Sequence, residues 1–110
     1  MRLPNGDRAD IPERKLTDFL LNENHPEQPG HAVLFRQLLG VGLHNSDVLR
    51  DALARAAAEN EATLDRHTPF GDKYLVRFPM RGQRGMYTVL SVWIIETGVN
   101  TPRLVTAYIE

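Results

Sequence analysis

Four histidines, His25, His31, His44 and His67, are the side chains of this sequence best suited to moving protons near neutral pH. They do not read as a metal site. His25 and His31 are six residues apart across a proline- and glycine-rich loop, and no pair has metal-ligand spacing. The chain has no cysteine. That excludes a disulfide framework, thiol catalysis and cysteine-bound zinc, and it is compatible with a reducing compartment. There is also no phosphate-binding glycine loop, His-Glu-x-x-His helix, nucleophile elbow or carboxylate-rich calcium loop. What remains is acid–base chemistry. Attack of an RNA 2′-hydroxyl on the adjacent phosphate needs a base, an acid, and donors that hold charge on phosphorus. His25 and His31 suit the first two roles, with His31 at a helix start where amide donors favour anions. Arginine suits the third through bidentate contact with phosphate oxygens. The plainer assignment is that His25 caps the preceding helix and His31 is an ordinary first-turn residue.

The donors come from the C-terminal half. Thr106 and Tyr108 alternate along the last strand, and with Arg103 and Arg77 nearby they can hold a phosphate and stack a base. The same residue types also suit a half-exposed strand with no ligand. Trp93 is placed beside Ser91 on the side of its strand that would meet a base, although Val92-Trp93-Ile94-Ile95 is a packing strand whatever the function. The formal net charge is -1. Between Arg66 and Arg84, however, Arg66, Lys73, Arg77, Arg81 and Arg84 face only one anion, Asp72. Such a stretch can bind phosphates or can simply keep an edge hairpin soluble.

These residues need a scaffold. A chain of 110 residues with 42% hydrophobic content fits one domain with its own core, over 1–110, with a helical half at about 10–59 and a sheet half at about 61–110. No apolar run approaches the roughly 20 residues of a membrane span. Met1 to Asp10 is polar and charged, so no leader is expected, and the location reads as cytoplasmic, with no membrane partner.

Leu3-Pro4-Asn5-Gly6-Asp7 reads as turn chemistry, extended or loosely held. Pro12 suits a first helical turn, Leu16, Phe19 and Leu20 give a buried stripe, and that helix should end near Asn22 or Glu23. Asn24 to Gly30 reads as loop. A second helix from about His31 buries Ala32, Phe35, Leu38 and Leu39 and stops at Gly40. A third, capped by Asn45 or Ser46, buries Leu49, Ala52, Leu53 and Ala56.

From Ala62 the apolar period becomes two. Strands are expected at Ala62–His67, Lys73–Met80, Met86–Ile95 and Arg103–Ile109. Tyr74, Val76 and Phe78 share one face, and Leu75 and Arg77 the other. In the last strand Val105, Ala107 and Ile109 form the core set, leaving Thr106 and Tyr108 outward with Leu104 alongside. The order predicts an α+β fold with about three N-terminal helices packed on one face of a four-stranded antiparallel sheet. The other face is left for solvent or a ligand.

The ordered segments Lys15-Leu16-Thr17-Asp18-Phe19-Leu20-Leu21-Asn22, His25-Pro26, and a helix with Phe35 ending in Leu39-Gly40 resemble the opening of a bacterial family. Val92-Trp93-Ile94-Ile95, followed by Pro102-Arg103-Leu104-Val105-Thr106-Ala107-Tyr108, is similar to its last two strands. Its members are small stand-alone proteins and the C-terminal nuclease domains of contact-dependent and polymorphic toxins. The resemblance implies the fold shared by barnase, EndoU, colicin nucleases and RelE. It also implies metal-independent RNA cleavage, often of tRNA, without a cofactor, and an immunity protein or antitoxin as partner. By position it assigns the site to His25, the helix-opening His31, Arg103 and Thr106. The family usually has lysine at the position of His31 and a basic residue at that of Val33.

Two functions follow from different classes. One is a metal-independent endoribonuclease of toxin type with histidine acid–base catalysis. The other is an inactive relative that binds protein or RNA within a toxin–antitoxin or immunity pair. A purely structural role is the background to both. The enzyme requires His25, His31, Arg103 and Thr106 to converge on one cleft. The binding module does not.

Overall fold

A computed structural model describes residues 1–26 and 29–110, so Glu27 and Gln28 of the expected loop lie outside the described residues. The chain is α+β, with helical segments preceding a four-stranded antiparallel sheet in the order β1-β2-β3-β4. The strands are β1 (Ala62–Thr68), β2 (Gly71–Gly82), β3 (Gly85–Glu96) and β4 (Arg103–Ile109). β2 and β3 are each longer than the alternation predicts, because the glycines that flank them still pair across the hairpin: Gly71 with Glu96, and Gly82 with Gly85.

After a short 3-10 turn at Gly6–Arg8, the first longer helical segment is a π-helix, Lys15–Leu20. Its wider turn is seen in the bond from the Leu21 N–H to the Leu16 carbonyl, five residues back. Leu16, Leu20 and Leu21 thereby all reach the core. The segment ends at Leu20, short of the expected Asn22 or Glu23. Helix α1 (Pro29–Leu39) starts two residues before the expected His31; a proline is tolerated in a first turn because its missing N–H has no helical partner there. Gly40 ends it at φ +69, while the Gly40 and Val41 amides return to the Arg36 and Phe35 carbonyls. Helix α2 (Ser46–Glu59) buries Leu49, Leu53, Ala56 and Ala57. Asn45 precedes α2 but its side chain does not cap it; Asn45 instead accepts from the Gly42 amide and donates to the Gly40 carbonyl, closing the loop before the helix.

The first ten residues are held firmly, contrary to the loose segment expected. Leu3 is buried, Arg2 bridges Glu61, and the Ala62 amide donates to the Met1 carbonyl. Gly6 passes so close to α2 that a Cβ there would lie 1.9 Å from the Ala57 carbonyl oxygen. Asp10 then runs beside β4, donating to the Pro102 carbonyl at 2.8 Å and accepting from the Leu104 amide at 3.0 Å.

Leu16, Leu20, Phe35, Leu49 and Leu53 from the helical segments share one core with Val76 and Phe78 of β2, Val89 and Trp93 of β3, and Leu104 and Ala107 of β4. This is the inner face of the sheet. Two expectations are corrected here. Ser91 and Trp93 point inward, both at 0% exposure. The Trp93 indole N–H donates to Ser91 Oγ at 2.9 Å, and the Ser91 hydroxyl donates to the Val76 carbonyl at 2.7 Å. A buried indole can face the core only if its N–H finds such an acceptor. On β4, Leu104 replaces Val105 in the core. Trp93 pairs with Leu104 but Val92 with Thr106, so Val105 is the extra residue of a β-bulge and the alternation slips by one.

Candidate functional site

On the outer face, pairing aligns three rungs across β2, β3 and β4. They are Lys73–Ile94–Arg103, Leu75–Val92–Thr106 and Arg77–Leu90–Tyr108. The face therefore carries an apolar stripe along β3, flanked by cations on β2 and by arginine, threonine and tyrosine on the edge strand β4. Arg103, Thr106 and Tyr108 fall on one side of one strand; regular alternation would set Arg103 with Val105, and the bulge between Arg103 and Thr106 restores it to the face of Thr106 and Tyr108.

Both arginines on this face already have a carboxylate. Arg103 Nε lies 3.0 Å from Glu96 Oε1, and Arg77 Nε lies 2.8 Å from Glu110 Oε1. The hydrogen bond that Arg77 donates to Glu110, then the charge of that carboxylate, hold the Arg77 guanidinium above its ordinary pKa, with a further contribution from Tyr108. Arg77 is a permanent cation at any working pH.

The histidines approach β4 from the helical half. His31, in the first turn of α1, stacks on Tyr108 with ring centroids 5.4 Å apart and planes at 26°. Its Nδ1 is buried and makes no hydrogen bond. His25 sits in the turn after the π-helix, where its ring meets Phe19 edge-on at 4.7 Å. The Lys15 ammonium lies 5.2 Å from the centre of the same Phe19 ring. Phe19, Lys15 and Arg103 line a shallow groove with Pro12, Arg14 and Asp18. His25 thus meets the phenylalanine that lines one groove with Arg103, and His31 is brought to Tyr108 farther along the strand that carries Thr106. Trp93, a candidate for base contact, is not part of this surface, since it is wholly inside the core.

Lys15 and Arg103 also line a neighbouring hollow of about 450 Å³, with Lys73, Ile94 and Val105 from the sheet and Thr68, Pro69 and Phe70 from the β1–β2 turn. Sequence reasoning missed Lys15 and Phe70 as site residues. Lys15 and Phe19 show the i, i+4 spacing of a cation over a ring, which was the available signal. Phe70 reads as one more turn residue until the turn folds beside the sheet. Elsewhere, His67 pairs with Asp72 at 2.6 Å, and His44 is exposed beside the loop before α2. Among the described residues no three histidines and carboxylates gather closely enough to hold a metal ion, and no helix is long and apolar enough to cross a membrane.

The fold and this surface together define an α+β domain with a cation-flanked, partly apolar sheet face. Over residues 2–110 the chain matches DUF6883, a domain of unknown function, and it belongs to that family. No curated protein and no solved structure matches it.

Proposed function

We propose that the chain is a metal-independent endoribonuclease of toxin type, acting at the outer face beside β4. In this reading the three N-terminal helical segments cover one face of the sheet and leave the other for RNA. The observation that carries it is the stack of His31 on Tyr108, on the strand bearing Arg103 and Thr106, together with the contact of His25 with Phe19, which lines one groove with Arg103. The similarity of the ordered segments to toxin nuclease domains supports the same reading.

The chemistry balances without a metal. One imidazole takes the proton of the 2′-hydroxyl as its oxygen attacks phosphorus, and the other gives a proton to the departing 5′-oxygen. The products are a 2′,3′-cyclic phosphate and a 5′-hydroxyl. Arg103, aided by Thr106, holds the charge that grows on the phosphoryl oxygens. Arg77 and Tyr108 contact the flanking nucleotide. A cytoplasmic site of action, tRNA among the substrates, and a neutralising immunity protein or antitoxin belong to this proposal.

A second reading is favoured by the ion pairs. Arg103 and Arg77 are each engaged by a carboxylate, an arrangement that suits an inactive relative binding RNA or protein more than a site tuned for turnover. Induction of the wild-type protein in bacteria, beside His25→Ala, His31→Ala and Arg103→Ala, separates the two. The nuclease predicts growth arrest and cut RNA only for the wild type. Normal growth with intact bulk RNA favours the binding module.

A further inference from the structure

The hollow beside the β1–β2 turn has no role in the proton transfers, yet its lining is chemically specific. Lys73, Ile94 and Arg103 are one rung of the sheet, so the two cations lie two strand spacings apart, about 10 Å, on either side of an apolar floor. Lys15 closes the same hollow from the π-helix. Arg103 has Glu96, but Lys15 and Lys73 make no ion pair with a carboxylate among the described residues. The acid next to Lys73 in sequence, Asp72, is taken by His67.

At the rim stands Phe70, 77% exposed. Its backbone is nonetheless fixed. The Phe70 and Gly71 amides donate to Thr68 Oγ1 at 3.2 and 3.1 Å, the Thr68 hydroxyl donates to the Gly71 carbonyl at 2.7 Å, and the Thr97 amide donates to the Phe70 carbonyl at 3.0 Å. A large ring held out to solvent on a pinned turn gains nothing for the fold. It does suit stacking on a planar ligand, while half-buried unpaired lysines suit an anion. The volume of about 450 Å³ falls within the range of small-ligand sites, about 300–1,000 Å³.

We propose that this hollow is a nucleotide subsite, in which Lys15, Lys73 and Arg103 hold a phosphate while Phe70, Ile94 and Val105 receive its base. The identity of the polymer as RNA rests on the reading above; recognition of the single nucleotide does not. Since Lys15 and Arg103 also line the groove that holds Phe19, and Arg103 is the guanidinium assigned to the reacting phosphoryl group, the phosphate held here is the scissile one.

Calorimetric titration with 5′-AMP, adenosine and inorganic phosphate tests it on the full chain. The expected result is tighter binding of 5′-AMP than of either fragment. Lys73→Glu should weaken 5′-AMP by more than tenfold, and Phe70→Ala should weaken it about tenfold, as loss of one stacked base does, without altering phosphate binding. Arg84→Ala, a charge change on the distant β2–β3 turn, should leave all three unchanged, and circular dichroism should show every variant folded. Absence of 5′-AMP binding overturns the subsite, as does an affinity indifferent to Phe70→Ala and Lys73→Glu. Binding of a polyglutamate peptide as tightly as an RNA decamer also overturns it. RNA cleavage assayed on the same proteins keeps the two ideas apart. Cleavage with an unchanged KM in both variants sinks the subsite alone. Nucleotide binding that responds to both variants, without any cleavage, sinks the nuclease alone.

Discussion

Glu96 and Glu110 compete with any phosphate for the arginines of the outer face, since each accepts a hydrogen bond from a guanidinium. Ion pairs at such exposed positions are weak and screened by salt, so a phosphate that offers two oxygens to one guanidinium can displace them. Glu96→Gln should therefore tighten binding of a short single-stranded RNA severalfold, as read by fluorescence anisotropy; a weaker complex would instead assign Glu96 to positioning Arg103. Inside the sheet, Ser91 accepts from the Trp93 indole and also satisfies the Val76 carbonyl. Ser91→Ala leaves a buried donor unmatched, at a cost of about 1–3 kcal/mol. Urea unfolding measures it, and a midpoint equal to wild type would contradict this account of why Trp93 faces inward. Neither partner is visible in the sequence, because β3 is apolar on both sides and alternation alone does not say which side holds the core.

At the level of elements, side-chain spacing carried most of the fold and failed where the backbone departs from a regular period. Tyr74, Val76 and Phe78 alternate cleanly and lie inward; the Arg103–Ile109 strand has the expected bounds. A bulge changes the count without leaving a residue signature, so alternation alone sets Val105 in the core, and Leu16 and Leu20 satisfy the spacing of an ordinary helix as well as that of the π-helix. The hold on the N-terminal segment depends on Gly6, whose contact with α2 is a backbone approach between distant segments. A Cβ at Gly6 would meet the Ala57 carbonyl oxygen at 1.9 Å and its carbon at 2.8 Å, and a helical carbonyl cannot move aside cheaply. Gly6→Ala should destabilise the protein by about 2 kcal/mol or more, read as a fall in the urea midpoint. An unchanged midpoint would show that the segment does not clamp α2.

Across the whole molecule, the net charge of -1 conceals an uneven distribution, and the candidate surface was legible only in part for that reason. Thr106 and Tyr108 could be placed on one face from their own strand, with Arg103 joining them only through the bulge. The hollow could not, since Lys15, Phe70 and Lys73 meet only through the packing of the π-helix and the β1–β2 turn against the sheet. If Lys15, Lys73 and Arg103 contact phosphates, log K for a single-stranded RNA should fall with log salt at a slope of about -2, near -0.7 for each contact. A slope near zero would mean that the cations do not meet the backbone. The most direct test of the central claim is cleavage of a defined single-stranded RNA in excess chelator, with end-group analysis of the products, by the wild type and by His25→Ala, His31→Ala and Arg103→Ala. The account predicts 2′,3′-cyclic phosphate ends from the wild type and a loss of at least a hundredfold in rate in each variant, in line with removal of an acid–base group or a charge-stabilising donor. RNA left intact by the wild type, or cut equally well by all four proteins, would contradict it.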